Sequence, residues 1–154
     1  MQKKLKVRSV KRIEYIVVHC SASDSPRQAT LEAIKHLHTA PTSEAILWGK
    51  YPTHGRGWSD IGYHIVIEPS GTLRLGRPLN RAGAHTKGYN DRAIGICVVG
   101  DSKFTAEQMR TLNSIVSIMM TGYNVPKEKV VGHYELDSRK TCPNINMDDF
   151  RKTI

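Results

Sequence analysis

His19, His133 and Cys142 are two imidazoles and one thiol, a donor set that binds a divalent metal and leaves a fourth position open. Closed structural zinc sites take four protein ligands, often in C-x2–4-C pairs, whereas a three-ligand set keeps room for water and reads as catalytic. The chemistry open to such a site is hydrolysis, since zinc lowers the pKa of a bound water to about 7. No C-x-x-C and no H-E-x-x-H occurs in the chain, so the common local zinc patterns give no support. Each of the three, taken alone, reads equally well as a packed side chain in a strand or its adjoining loop. Their contexts are more informative: His19 sits at the end of the apolar, β-branched run IEYIVVHC, His133 follows VVG, and Cys142 comes nine residues later in RKTCP.

The elements that must position these residues can be traced in the pattern. Residues 13–20 predict a short strand buried on both faces. SASDSPRQ is a turn-rich loop, and 30–38 predicts an amphipathic helix with Leu31, Ile34 and Leu37 on one stripe and Pro41 just past its end. Residues 39–58 hold two prolines, three glycines and two tryptophans, the composition of an irregular surface insertion. GYHIVIEPSGTLRLG predicts a hairpin about its Pro-Ser-Gly turn, residues 79–92 a loop, and AIGICVVG a second buried strand. Thr105 and Gln108 form a capping box, followed by Met109, Leu112, Val116 and Met119 at helical spacing up to Gly122. KVVGH predicts a short strand and 146–153 a terminal helical turn. The alternation implies one α/β domain, a mixed central β-sheet flanked by helices.

Size and charge narrow the class. A chain of 154 residues fits one domain with a sizeable core. Three scattered cysteines are no disulfide framework, which suits a reducing compartment or a thiol committed to metal. No stretch approaches the roughly 18 apolar residues of a membrane span, so no membrane insertion is expected. IEYIVV is too short for an export core, so no signal peptide is expected and a cytoplasmic location follows. The net charge of +9, with six basic residues in a 1–12 N-terminal arm, favours anionic partners or a solvated arm. Aromatics are sparse and nucleic-acid motifs absent, so no nucleic acid is expected.

Four segments together, VVHCSAS (17–23), GWSDIGYHIVI (57–67), GAHTKGYNDRAIGICVVG (83–100) and VVGHYELDSRKTCP (130–143), resemble the type-2 N-acetylmuramoyl-L-alanine amidase family. These are zinc amidases that include short phage lysozymes and peptidoglycan recognition proteins. The resemblance covers residues 13–154, apart from the insertion at 39–56. It implies one zinc per chain in a surface groove, held by His19, His133 and Cys142, with Tyr63 and Lys140 as catalytic groups. His85 matches a loop histidine near the metal in phage members, and His85, Asn90 and Trp58 are assigned to substrate binding. The implied substrate is the lactyl–L-alanine amide of bacterial peptidoglycan, and the implied setting is a monomeric phage or prophage lysin, cytoplasmic until it is released to the wall.

Several residues keep a structural reading. His64 should face away from Tyr63, and Cys20 away from His19, while Cys97 is a core residue. His36, His38 and His54 are not assigned to the metal. The rival function is a peptidoglycan-binding recognition module that does not cut. Such members typically lack the cysteine ligand, so Cys142 with Tyr63 and Lys140 favours the enzyme. Cys142 also argues against a recycling amidase, whose third ligand is aspartate. The spacing from His133 to Cys142 is one residue longer than in short phage lysozymes, which leaves the path of that loop open.

Overall fold

The computed structural model describes residues 4–154. Its centre is β1 (Tyr15–Cys20), in which all residues but Tyr15 are buried. Strand β1 is flanked by two parallel neighbours, β6 (Ala93–Val98) and β7 (Val130–Gly132). Beyond β6 lie β4 (Ile65–Ile67), also parallel, and β5 (Leu73–Leu75), antiparallel to β4, so the sheet order is β5-β4-β6-β1-β7. The sheet is therefore mixed, as expected. Central strands of a parallel sheet are covered on both faces, which explains the unbroken Val/Ile runs.

Alternation along β1 divides the two covers. Ile16 and Val18 point into a core with Ile94, Ile96, Leu112, Val116 and Phe150, beneath α2 (Ala106–Tyr123) and α4 (Met147–Arg151). On the other face α1 (Leu31–Thr39) buries Leu31, Ile34 and Leu37 against Val66 and Cys97. Each such buried side chain contributes about 1.5–3 kcal/mol relative to an exposed one. The capping box at Thr105 and Gln108 is formed, but α2 runs past Gly122 and ends at Asn124, which takes the left-handed conformation at φ 53°. Asparagine tolerates that conformation, so it substitutes for the expected glycine.

The segment 39–58 departs from the expected irregular loop. It contains an antiparallel hairpin, β2 (Ala45–Trp48) and β3 (Tyr51–His54), paired Trp48 to Tyr51 and Leu47 to Pro52. A two-stranded ribbon can hold Pro52 because an edge strand need not donate at every residue. Gly49, at φ 58°, makes the turn. Trp48 anchors the hairpin: its side chain is buried with Ile34, Leu37 and Ile61, and its Nε1 donates to Ser21 O at 2.6 Å. Among the described residues no helix is long and apolar enough to cross a membrane.

Candidate active site

The parallel register of β1 and β7 pairs Val18 with Gly132, so the following residues, His19 and His133, emerge side by side at the carboxyl ends of adjacent strands. That end of a parallel sheet is where ligands bind in open α/β folds. Their ring centroids are 4.7 Å apart. His133 begins the single-turn α3 (His133–Leu136), after which Asp137 N donates to His133 O and Lys140 N to Asp137 O. Arg139 forks onto Asp137 with two bonds of 2.9 Å, and Tyr134 N donates to Cys142 O at 2.9 Å. One helical turn and one aspartate-anchored turn thus take up the nine-residue spacing.

The donor atoms of His19, His133 and Cys142 all lie within 4.8 Å of one another. His19 Nδ1 is 3.8 Å from Cys142 Sγ. A tetrahedral zinc with bonds of about 2.0–2.1 Å to nitrogen and 2.3 Å to sulfur would hold these atoms about 3.5 Å apart, so the cluster fits such an ion with small adjustment. Burial, then the nearness of a second titrating imidazole, His133, and of Lys140, hold the His19 pKa well below the usual imidazole range. Burial and Lys140 lower that of His133 as well. Both rings are therefore neutral at neutral pH, the form that binds metal. The Cys142 thiol is pushed up by its hydrogen bond with the Cys20 thiol and by burial. A divalent cation reverses that preference, because a coordinating thiol is deprotonated. The Cys20 backbone N–H, 3.2 Å from Cys142 Sγ, is placed to support the thiolate. Cys20 itself, expected to face away, has its thiol beside Cys142, because β1 ends there and alternation no longer sets its direction.

The second nitrogen of His19 is also held. Its Nε2 lies 2.9 Å from His85 Nδ1 and 3.3 Å from Thr86 Oγ1. With His19 Nδ1 bare for the metal, Nε2 carries the proton and His85 Nδ1 accepts it, the outer contact that fixes ring orientation in metal sites. The His85 ring occupies a slot that only glycines leave open, since a Cβ at Gly95 would stand 2.5 Å from His85 Cδ2 and one at Gly83 closer still. His85 Nε2 is buried with no hydrogen-bond partner among the described residues. Asn90 does not join the cluster, because its Oδ1 accepts from His85 N at 2.8 Å and Thr86 N at 2.9 Å and so clamps the loop.

A cavity of about 560 Å³ opens over the donors. Tyr63 lines it, with its ring centroid 5.1 Å from that of His19, and burial pushes its phenol pKa well up. Exposed Lys140 and half-exposed Trp58 form parts of the rim. His54 and Tyr51 lie outside, on the exposed hairpin. His64 is buried beneath the site, its Nδ1 accepting from Gly95 N at 3.0 Å, which agrees with a structural role. Two lining residues, His38 and Arg139, were not singled out as site residues from the sequence. His38 accepts from Gly62 N at Nδ1, stacks on Trp58 at 4.7 Å, and is pulled by burial to a pKa of about 4. Its one sequence signal was a histidine on the apolar stripe of α1, four residues after Ile34 and next to buried Leu37.

Three donors that could hold a metal ion, two of them at the carboxyl ends of parallel strands, face an open cavity, the arrangement that metal-dependent hydrolases use. The chain belongs to the N-acetylmuramoyl-L-alanine amidase family, whose profile matches residues 9–145. It is 30% identical to the endolysin of Enterobacteria phage K11, over 96% of this chain and 93% of that protein. It is 31% identical to the endolysin of Escherichia phage T7, over 86% and 81% of the two chains. Among solved structures it resembles the N-acetylmuramoyl-L-alanine amidase LysC from Clostridium intestinale, with a TM-score of 0.74 and 26% identity over 99% of this chain and 93% of that one.

Proposed function

We propose that this protein is a zinc amidase that cleaves the bond between the lactyl group of N-acetylmuramic acid and L-alanine in bacterial peptidoglycan. The observation that carries this reading is the convergence of His19, His133 and Cys142 within 4.8 Å at the floor of the cavity that Tyr63 and Lys140 also line. Zinc bound there supplies a Lewis acid that lowers the pKa of water to about 7. The chain's own residues do the rest. His85 keeps His19 in the metal-binding tautomer through the 2.9 Å contact. Lys140 sets a positive charge on the rim, where the carbonyl oxygen of the scissile amide gathers negative charge. Tyr63, held protonated by burial, has a proton to give to the leaving amine of L-alanine. Trp58 offers an aromatic wall to a sugar ring or stem peptide. The protein acts as a monomer and as a phage-type lysin, made in the cytoplasm and released to the wall.

The test is mass analysis of peptidoglycan digested with the purified protein. Stem peptides with free L-alanine amino termini should appear, vanish on chelation, return with Zn²⁺, and be missing with Cys142→Ser. Tight binding to peptidoglycan with no new amino termini would assign the chain to non-cutting recognition instead.

A further inference from the structure

The basic residues at the start of the chain were read as an arm, yet one of them is inside the molecule. Arg8 is 7% exposed and lies one residue outside the family match. Its Nε donates to Leu79 O at 2.9 Å, and its Nη1 to Asn90 O at 3.2 Å and Ala93 O at 2.6 Å. Its Nη2 packs 3.1 Å from His64 Nε2, a nitrogen that carries the ring proton and donates to Arg81 O at 2.9 Å because Nδ1 accepts from Gly95 N. The flanking backbone is also fixed, with Arg8 N donating to Asn80 O, Ala82 N to Lys6 O, and Val7 bridging Arg81. Burial lowers the Arg8 pKa only to about 10, with Asp91 opposing the fall, so the cation persists at neutral pH. Burying such a charge is costly unless its donors are matched, and a planar guanidinium can fork onto these three carbonyls at once.

The groups it holds surround the slot of His85. Asn90 is the residue whose side chain caps His85 N and Thr86 N, and its carbonyl accepts from both Gly83 N and Arg8. His64 packs edge-on against His85 at 5.7 Å and accepts from the N–H of Gly95, the glycine that faces the His85 ring. Ala93 begins the strand that carries Gly95. We propose that Arg8 is a positioning residue for the metal centre: by tying Asn90 to Ala93 and packing against His64 it holds the His85 slot in the shape that keeps His85 Nδ1 against His19 Nε2. This rests on the metal-site reading above, but adds a contribution from outside the family's matched segment. It gives the first basic stretch a task in the interior.

The experiment compares full-length Arg8→Ala and Arg8→Lys with the wild type by two readouts. The first is zinc affinity by competition with a chromophoric chelator, expected to fall about 10-fold in Arg8→Ala, at the lower end of what loss of an outer-sphere partner costs. The second is amide exchange in the metal-free protein, where the N–H groups of His85 and Thr86 should lose protection while those of α2 keep it. Arg8→Lys keeps a charge but not the planar fork, and should resemble Arg8→Ala in both readouts. If Arg8→Ala does not fold, Arg8→Lys alone decides. Wild-type zinc affinity with wild-type protection at His85 and Thr86 would overturn the proposal, and so would an equal loss of protection in α2, which would make Arg8 a general stabiliser. Failure of the wild type to hold zinc would overturn the metal reading, and the exchange readout would still decide for or against Arg8.

Discussion

Gly95→Ala tests the outer support of the metal site with the smallest possible change. A Cβ built on Gly95 would stand 2.5 Å from His85 Cδ2, 2.6 Å from Cγ and 2.7 Å from Nε2. Carbon atoms rest about 3.5–4.0 Å apart, so the ring must retreat by roughly 1 Å. It cannot do so and keep the 2.9 Å contact with His19, which would open to about 3.9 Å, outside hydrogen-bonding range. Two effects follow. Overpacking should cost about 1–3 kcal/mol, and at about 2–4 °C per kcal/mol for a domain of this size the metal-free Tm should drop by roughly 2–12 °C. Loss of the outer contact on His19 should weaken zinc binding by about 10–100-fold. The assay is chelator competition beside thermal melting of the metal-free protein, repeated for Gly95→Ala/His85→Ala. Removing the imidazole should restore the Tm but not the affinity, a non-additivity that marks direct contact. Wild-type affinity and Tm in Gly95→Ala would refute the slot.

Tyr63→Phe and Lys140→Ala should each keep zinc and fold while turnover falls about 10²-fold or more, and near-normal turnover in either would remove that residue from the chemistry. The two tryptophans of the 39–58 segment should separate: Trp48→Ala should cost about 3–5 kcal/mol of stability in urea melts, as for other large aromatic truncations. Trp58→Ala should leave the Tm nearly unchanged and raise KM for peptidoglycan fragments, and the reverse assignment in those two assays would refute the split. Acid should destabilise the metal-free protein early. His38 and His64 have folded pKa values of about 4, set first by burial, so the unfolded chain, titrating near 6.5, takes up protons before the folded one. Stability should therefore fall as pH drops from about 6.5 to about 4 and then level off for these groups, by up to about 3 kcal/mol each. Urea melts that are flat between pH 7 and 4.5 would show that the two rings are not buried neutral.

Two of the three candidate metal donors, His19 and His133, were legible because each stands where an apolar run meets a loop, whereas Cys142 in RKTCP follows no such run. The ends of β1 and β7 set the two histidines side by side. The stripes of α1 and α2 were legible for the same reason, a helical period over a buried face. The hairpin was not, since Leu47 and Tyr51 are exposed and Pro52 interrupts the strand pattern, leaving buried Trp48 and half-buried Ile46 to face the core. The clamp that Asn90 makes was not legible, because it depends on a turn that brings its side chain back onto His85 N. Arg8 resembled its solvated neighbours, since only the carbonyls of distant segments distinguish it. Local pattern shows what faces the core, while polar partners far along the chain must be seen folded.

The parallel register of β1 also fixes when the centre can come into being. Its neighbours on both sides, β6 and β7, lie far along the chain, and Cys142 follows His19 by 123 residues. Pairings of such long separation must overcome loop-closure entropy before they return any contact, and they form late and slowly. In the unfolded chain only His133 and Cys142 are near neighbours, and His19 joins them once β1 has paired, unlike a zinc finger whose donors all lie close in sequence. An ion held by these three donors would enter a finished sheet and act as a clasp on it, holding the ends of β1 and β7 together. The clasp should slow unfolding far more than it speeds folding, because it tightens contacts made after the rate-limiting step.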